Sequence, residues 1–181
     1  MKYRTIVADP PWRYDSGRFS TAGAQRTKSS AALRYELLSP SEIASLSVAP
    51  LCDESAHLWI WGTNMKLKYA YETAETWGFE PVTLVTWCKK QPGLGHYLRN
   101  NTEHCVFAVH GKPMPPDSPP LSTWYVWPRT AHSQKPEAFY DLVERVSPGP
   151  YLELFARRNR LGWDCWGHEA LNQIELSTGR Q

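Results

Sequence analysis

Apolar residues along this chain gather in short unbroken runs rather than in strict alternation. Runs of strand length occupy 5–8 (TIVA), 57–61 (HLWIW), 82–87 (VTLVTW), 105–109 (CVFAV), 124–127 (WYVW) and 151–155 (YLELF). Positions that are apolar in succession suit strands covered on both faces. Between several of these runs the period becomes helical. Ser39-Pro40-Ser41-Glu42 reads as an N-cap, a proline in the first turn and a capping-box glutamate, predicting a helix to about Leu46. A second helix is predicted over 65–77, with Leu67, Ala70, Ala74 and Trp77 on one face and Gly78 as its stop. A third starts at Pro136, carries Phe139, Leu142, Val143 and Val146 on its apolar face, and ends at Ser147-Pro148-Gly149. Strands alternating with helices predict an α/β domain with a mostly parallel central sheet. The 181 residues are expected to form one domain.

Three stretches have no period: 13–36, 90–102 and 112–121. They are longer than ordinary connections, which marks them as functional or mobile loops rather than mere linkers. The first carries Arg13, Arg18, Arg26, Lys28 and Arg34, and Lys89, Lys90 and Arg99 lie at or within the second. Of these, Arg13, Arg18, Lys28, Lys89 and Arg99 are the candidate phosphate contacts. A formal net charge of +2 excludes a globally basic protein, so any such surface must be local. The 9 Trp and 9 Tyr point to core packing and to surfaces that stack on flat ligands.

The four cysteines form no CxxC pair, and the histidines show no metal-ligand spacing. Reduced thiols and no metal are expected. The chain shows no basic-then-apolar leader and no apolar run near 18 residues. Neither secretion nor membrane insertion is expected, and the cytoplasm is the expected compartment.

The first apolar run ends in "VADPPWRYDSG", residues 7–17. In open α/β sheets ligands lie beyond the carboxyl ends of the strands, where Asp9 falls. Two prolines fix φ and remove two donors while keeping their carbonyls. A carboxylate, a rigid carbonyl and an indole together suit a planar base that bears an amino group. Asp9 and Pro10 would accept the two N–H bonds of the amine, Pro11 would hold the turn rigid, and Trp12 would stack on the ring.

The motif does not stand alone. "HLWIWGTN" (57–64), "LVTWCKK" (84–90), "GLGHYLRNNTEHCVFAVHGKP" (93–113), "SQKP" (133–136) and "LELFARRNRLGWDCWGHE" (152–169) follow it in order. Across nearly the whole chain the sequence resembles the DPPW-type adenine-N6 methyltransferases, which use S-adenosyl-L-methionine. The resemblance implies a Rossmann-like methyltransferase sheet of permuted motif order, with the amine-binding motif before the cofactor-binding strand. It implies that Asp9, Pro10, Pro11 and Trp12 hold the target adenine. Asp9, His110, Lys135, Phe155, Arg157, Asn159, Gly167, His168 and Glu169 would face the cofactor. Asn101, Glu103 and His104 would flank the cleft. Two positions depart from the family: His168 stands where many relatives have Asn, and His110 where several have Lys or Arg.

The implied activity is methylation of adenine N6 in nucleic acid, DNA in preference to RNA, with a second copy or a partner subunit completing the surface. A rival reading is a non-catalytic nucleic-acid-binding or scaffolding subunit with the same fold. His168 and His110 speak for it, and the intact Asp9 and Trp12 against it.

Overall fold

A computed structural model describes residues 1–13, 37–91, 97–112, 115, 120–128 and 134–176. Seven strands form one sheet: β1 (Tyr3–Ala8), β2 (Cys52–Gly62), β3 (Glu80–Cys88), β4 (Thr102–His110), β5 (Trp124–Val126), β6 (Tyr151–Leu154) and β7 (Trp163–Trp166). Their order across the sheet is β5-β3-β4-β2-β1-β6-β7. β1 pairs in parallel with β2 and β6, β6 with β7, and β3 with β5, whereas β4 runs antiparallel to both β2 and β3. The sheet is therefore mostly parallel, with one reversed strand near its middle. Asp9 follows β1, so the carboxyl ends of β1, β2 and β6 and the start of β4 share one end of the sheet.

The unbroken apolar runs have a direct explanation in the two cores. Ile6, Ala8, Leu58, Ile60, Leu152 and Leu154 point to one face, and Val7, Trp59, Trp61, Val85, Trp87 and Cys105 belong to the core on the other. Because neighbouring side chains on a strand point to opposite faces, covering both faces demands apolar residues at every position. Helices α1 (Pro40–Ala44) and α2 (Leu67–Thr76) contribute Ile43, Ala70 and Ala74 to the first core. Helix α3 (Glu137–Val146) contributes Phe139, Tyr140, Leu142 and Val143 to the second.

The helix signals act as expected. Ser39 accepts from the Glu42 amide, and the Glu42 carboxylate accepts from the Ser39 amide, which closes the capping box. Gly78, at φ +85°, follows α2 and takes the left-handed turn that stops it. Observed limits are tighter than predicted: α1 ends at Ala44, and α3 starts at Glu137 with Pro136 as its N-cap. β2 begins five residues earlier than the HLWIW run, at Cys52. β7 was not expected, because its four residues are closely bounded by Gly162 and Gly167 and read as part of a loop.

Among the described residues the aromatic excess is largely interior. Trp12, Trp59, Trp61, Trp77, Trp87, Trp127 and Trp163 are all buried. No helix among these residues is long and apolar enough to cross a membrane.

Candidate active site

The chain leaves β1 at Asp9 and turns at once. The Trp12 amide donates to the Pro10 carbonyl at 2.9 Å, and the Leu38 amide donates to the Pro11 carbonyl at 2.9 Å. Trp12 also forms a parallel bridge with Leu38. Both proline carbonyls therefore already accept one local donor. Each keeps a second lone pair. One correction concerns Trp12. Its ring is only 5% exposed, and its indole N–H donates to the Trp61 carbonyl at 2.9 Å. Burying an indole that size is favourable once its donor is satisfied. Trp12 pins the turn to β2 as part of the core and offers no open face for a base to stack on.

Asp9 is the first member of a line of alternating charges. Lys135 Nζ donates to Asp9 Oδ2 at 2.6 Å and lies 3.4 Å from Glu103 Oε2. Glu103 pairs in turn with Lys89. Lys135 sits 4.9 Å over the Trp61 ring, and Lys89 sits 4.4 Å over Trp87. Burial pulls the Lys135 ammonium down, but Asp9 and Glu103 outweigh it and hold the group above its usual value. Burial pushes Glu103 up, yet Lys135 and Lys89 together hold it below the ordinary carboxylate value. Lys135 and Glu103 each lie against opposite charges, which offsets the cost of burying them. Lys89, expected as a phosphate contact, is committed to Glu103.

At the end of β6 the backbone makes an unusual turn. Phe155 adopts φ 63°, the left-handed region that side chains rarely enter. This aims the chain across the end of the sheet. Phe155, Ala156 and Arg157, together with Asp9, Pro11, His168 and Glu169, line an open cleft of about 290 Å³ counted to its mouth. A second depression shares Asp9, Phe155 and Arg157, and adds Gln134, Lys135, Tyr140, Glu153 and Arg158. Glu153 is buried in β6 and accepts from the Tyr140 hydroxyl at 2.6 Å. Burial pushes its carboxyl up to about 7, an effect that the Tyr140 hydrogen bond partly offsets.

Two expected cofactor contacts, Asn159 and Gly167, are not among the residues that line either depression. The Asn159 amide donates to the Leu171 carbonyl at 3.0 Å, and its oxygen accepts from the Leu171 amide at 3.0 Å. Its side chain thus braces the segment that carries His168 and Glu169. Gly167 is a close-approach glycine, since a Cβ there would lie 2.1 Å from the Ala156 carbonyl oxygen.

The structure brings Asp9, Pro11, Lys135, Phe155, Arg157, His168 and Glu169 together, from positions as much as 160 residues apart. It does not bring His110. That residue pairs with Ala56 at the far end of β4, six residues and about 20 Å beyond His104 at the spacing of extended strands. There its Nδ1 lies 2.8 Å from the Gly78 carbonyl oxygen, so the expectation of a cofactor contact is withdrawn. Arg13 is turned onto the Leu37 carbonyl and Glu42. Arg99 is exposed on the rim. Arg18 and Lys28 lie outside the described residues, as do Ser133 of the SQKP block and residues 93–96 of the block that begins GLGHY. Sequence reasoning passed over the Glu153–Tyr140 pair as a unit. Its signal was a lone acid inside an otherwise apolar strand, YLELF, since a charge there must find a partner.

Comparison with known proteins follows the same residues. The MT-A70 family profile matches residues 3–169. The chain is 33% identical to the type II methyltransferase M.MunI of a Mycoplasma species, covering 98% of this chain and 82% of that one. It is 27% identical to the N(6)-adenosine-methyltransferase catalytic subunit METTL3 of Homo sapiens, covering 97% of this chain but 29% of that one. The Drosophila melanogaster N(6)-adenosine-methyltransferase MT-A70-like protein gives 27% identity, over 97% of this chain and 28% of that protein.

Proposed function

The chain belongs to the MT-A70 family of S-adenosylmethionine-dependent methyltransferases, and from that premise we propose that it methylates the N6 amine of adenine in DNA. The observation that carries this reading is the placement of Asp9. Its carboxylate stands at the end of β1, on a turn made rigid by two prolines, and it lines both depressions of the cleft. DNA is favoured over RNA by the likeness to the type II methyltransferase, of whose length the chain spans 82%, against 29% for human METTL3.

The lining residues suit S-adenosylmethionine, a zwitterion joined to a nucleoside. Lys135 and Arg157 offer cations for its carboxylate, and Asp9 offers an anion for its ammonium. Phe155 supplies an apolar surface, and His168 and Glu169 offer hydrogen-bonding groups for sugar hydroxyls. When bound, the cofactor supplies an activated methyl group.

The protein's own contribution is placement. Asp9 Oδ1 is free of the Lys135 hydrogen bond and accepts from the adenine amine, turning the nitrogen lone pair toward the methyl site. The open lone pair of a proline carbonyl takes the second N–H. Lys135 fixes the Asp9 rotamer, and Glu103 keeps Lys135 from swinging away. Alignment of this kind is worth up to about 7–11 kcal/mol of barrier in favourable cases. Lys135 already occupies Asp9 Oδ2, and the proton released from the amine passes to solvent.

Incubation with a tritiated methyl donor and matched DNA and RNA, followed by nucleoside digestion, tests the reading. Label is expected in N6-methyldeoxyadenosine. Label confined to methylcytosine, or absent from both polymers, overturns it. Asp9→Ala should lower the rate at least 100-fold; an unchanged rate removes Asp9 from the chemistry.

A further inference from the structure

Three large apolar side chains stand exposed at the end of the sheet where Asp9 lies. Tyr97 is 90% exposed, Leu98 83% and Met65 74%. Pairing fixes their place. Gly62, the last residue of β2, pairs with His104, and Cys88, the last of β3, pairs with Thr102. The segment 97–101 therefore leads into β4 at the end of the sheet where Asp9 lies. Glu103, only a few residues further on, already reaches Lys135. The rim is braced: the Asn64 amide donates to Asn100 Oδ1 at 3.1 Å, Thr102 Oγ1 donates to Asn64 Oδ1 at 3.3 Å, and the Lys89 amide donates to the Asn101 carbonyl at 2.7 Å. Beside the apolar pair, Lys90 and Arg99 are both exposed.

An apolar projection beside exposed cations, at the same end of the sheet as the Asp9 cleft, fits one partner well. Protein–protein contacts deplete charge at their centre. Nucleic-acid contacts combine cations for phosphates with apolar side chains that enter the base stack. An adenine inside a duplex cannot reach a carboxylate at the foot of a cleft unless it leaves the stack, and the space it vacates costs stacking energy until something fills it. We propose that Tyr97 and Leu98 form a wedge that enters duplex DNA beside the target adenine and occupies the gap left by its extrusion, while Lys90 and Arg99 hold the adjoining phosphates. The inference rests on the adenine-methylation reading above.

The test compares wild type with a Tyr97→Ala/Leu98→Ala double variant, using tritiated methyl donor and plasmid DNA, native or heat-denatured. The variant should lose about 10-fold or more in kcat/KM on native DNA, the scale of one lost base-stacking contact. On denatured DNA, where no stack has to open, its rate should stay within about threefold of wild type. Permanganate reactivity of native plasmid with each protein supplies a readout independent of turnover. Thymines opposite methylated adenines should become reactive with wild type and remain protected with the variant. Equal rates on native DNA, or an equal loss on both forms, overturns the wedge; the second outcome marks a general docking surface, including one for a protein partner. These results differ from failure of the functional reading itself, in which wild type labels neither form of DNA.

Discussion

Glu153 is the buried acid with the clearest pH signature. Its carboxyl lies against the Tyr140 hydroxyl, and burial moves its titration from an ordinary 4.5 to about 7. Between those values the folded protein keeps a proton that the unfolded chain has released. Stability should therefore fall as pH rises from about 4.5 to 7, by roughly 3 kcal/mol at most for a shift of this size. Thermal midpoints of the cofactor-free protein from pH 5 to 8 should show that decline, and Glu153→Gln should remove most of it. A profile unchanged by the substitution would exclude Glu153 as its source. Lys89 and Lys135 separate by a different measurement. Lys135→Met leaves half-buried Asp9 without its cation and Glu103 with Lys89 alone, which should cost about 2 kcal/mol in denaturant unfolding and abolish methyl transfer. Lys89→Met leaves Glu103 still paired with Lys135, so stability should change by about 1 kcal/mol or less while kcat falls. Equal losses of stability from the two substitutions would contradict this ordering of the charges.

At the scale of elements, the cofactor side of the cleft depends on how β6 and β7 end. Phe155 turns left-handed after β6, and the Ala156 amide donates to the Trp166 carbonyl at 3.0 Å. Gly167 then crosses so closely that an added Cβ would lie 2.1 Å from the Ala156 oxygen and 2.4 Å from its nitrogen. Both contacts are backbone, so no side chain can swing aside. Gly167→Ala should displace the segment bearing His168 and Glu169 and cost about 2 kcal/mol, within the range for backbone strain. Calorimetric titration with S-adenosylmethionine should show weakened binding alongside a lowered thermal midpoint. Native affinity in this variant would mean that the segment does not hold the cofactor.

Across the whole molecule, a sheet covered on both faces supports the site from beneath. Phe139 of α3 meets Trp59, Trp61 and Trp127 with ring centroids between 4.8 and 6.3 Å. It joins the helix behind Lys135 to the strand that carries Trp61, whose carbonyl holds Trp12. Phe139→Ala should cost about 3–5 kcal/mol, as for other large aromatic truncations in cores. Chemical denaturation monitored by tryptophan fluorescence would measure it. A cost below about 1 kcal/mol would show that the α3 face does not carry the packing assigned to it.

The sequence by itself determined what depends on near neighbours. Mostly apolar runs marked six of the seven strands, because the strands at the middle of the sheet, β1, β2 and β6 among them, are covered on both faces. Ser39, Glu42 and Gly78 marked helix limits through bonds and φ values local to each. Asp-Pro-Pro-Trp at a strand end, with its following blocks, marked the site and the family. The tertiary structure decided what depends on pairing between distant segments. No local pattern says that β4 runs antiparallel between two strands, or that His110 is thereby carried away from the cleft. Trp12 and Lys89 have the residue types of ligand contacts, yet one is buried against Trp61 and the other is neutralised by Glu103. Lys135 meets Asp9 across 126 positions of sequence. Burial and charge compensation arise only when such segments meet. For that reason the chain's local order could name the acid at its centre but not the partners that hold it.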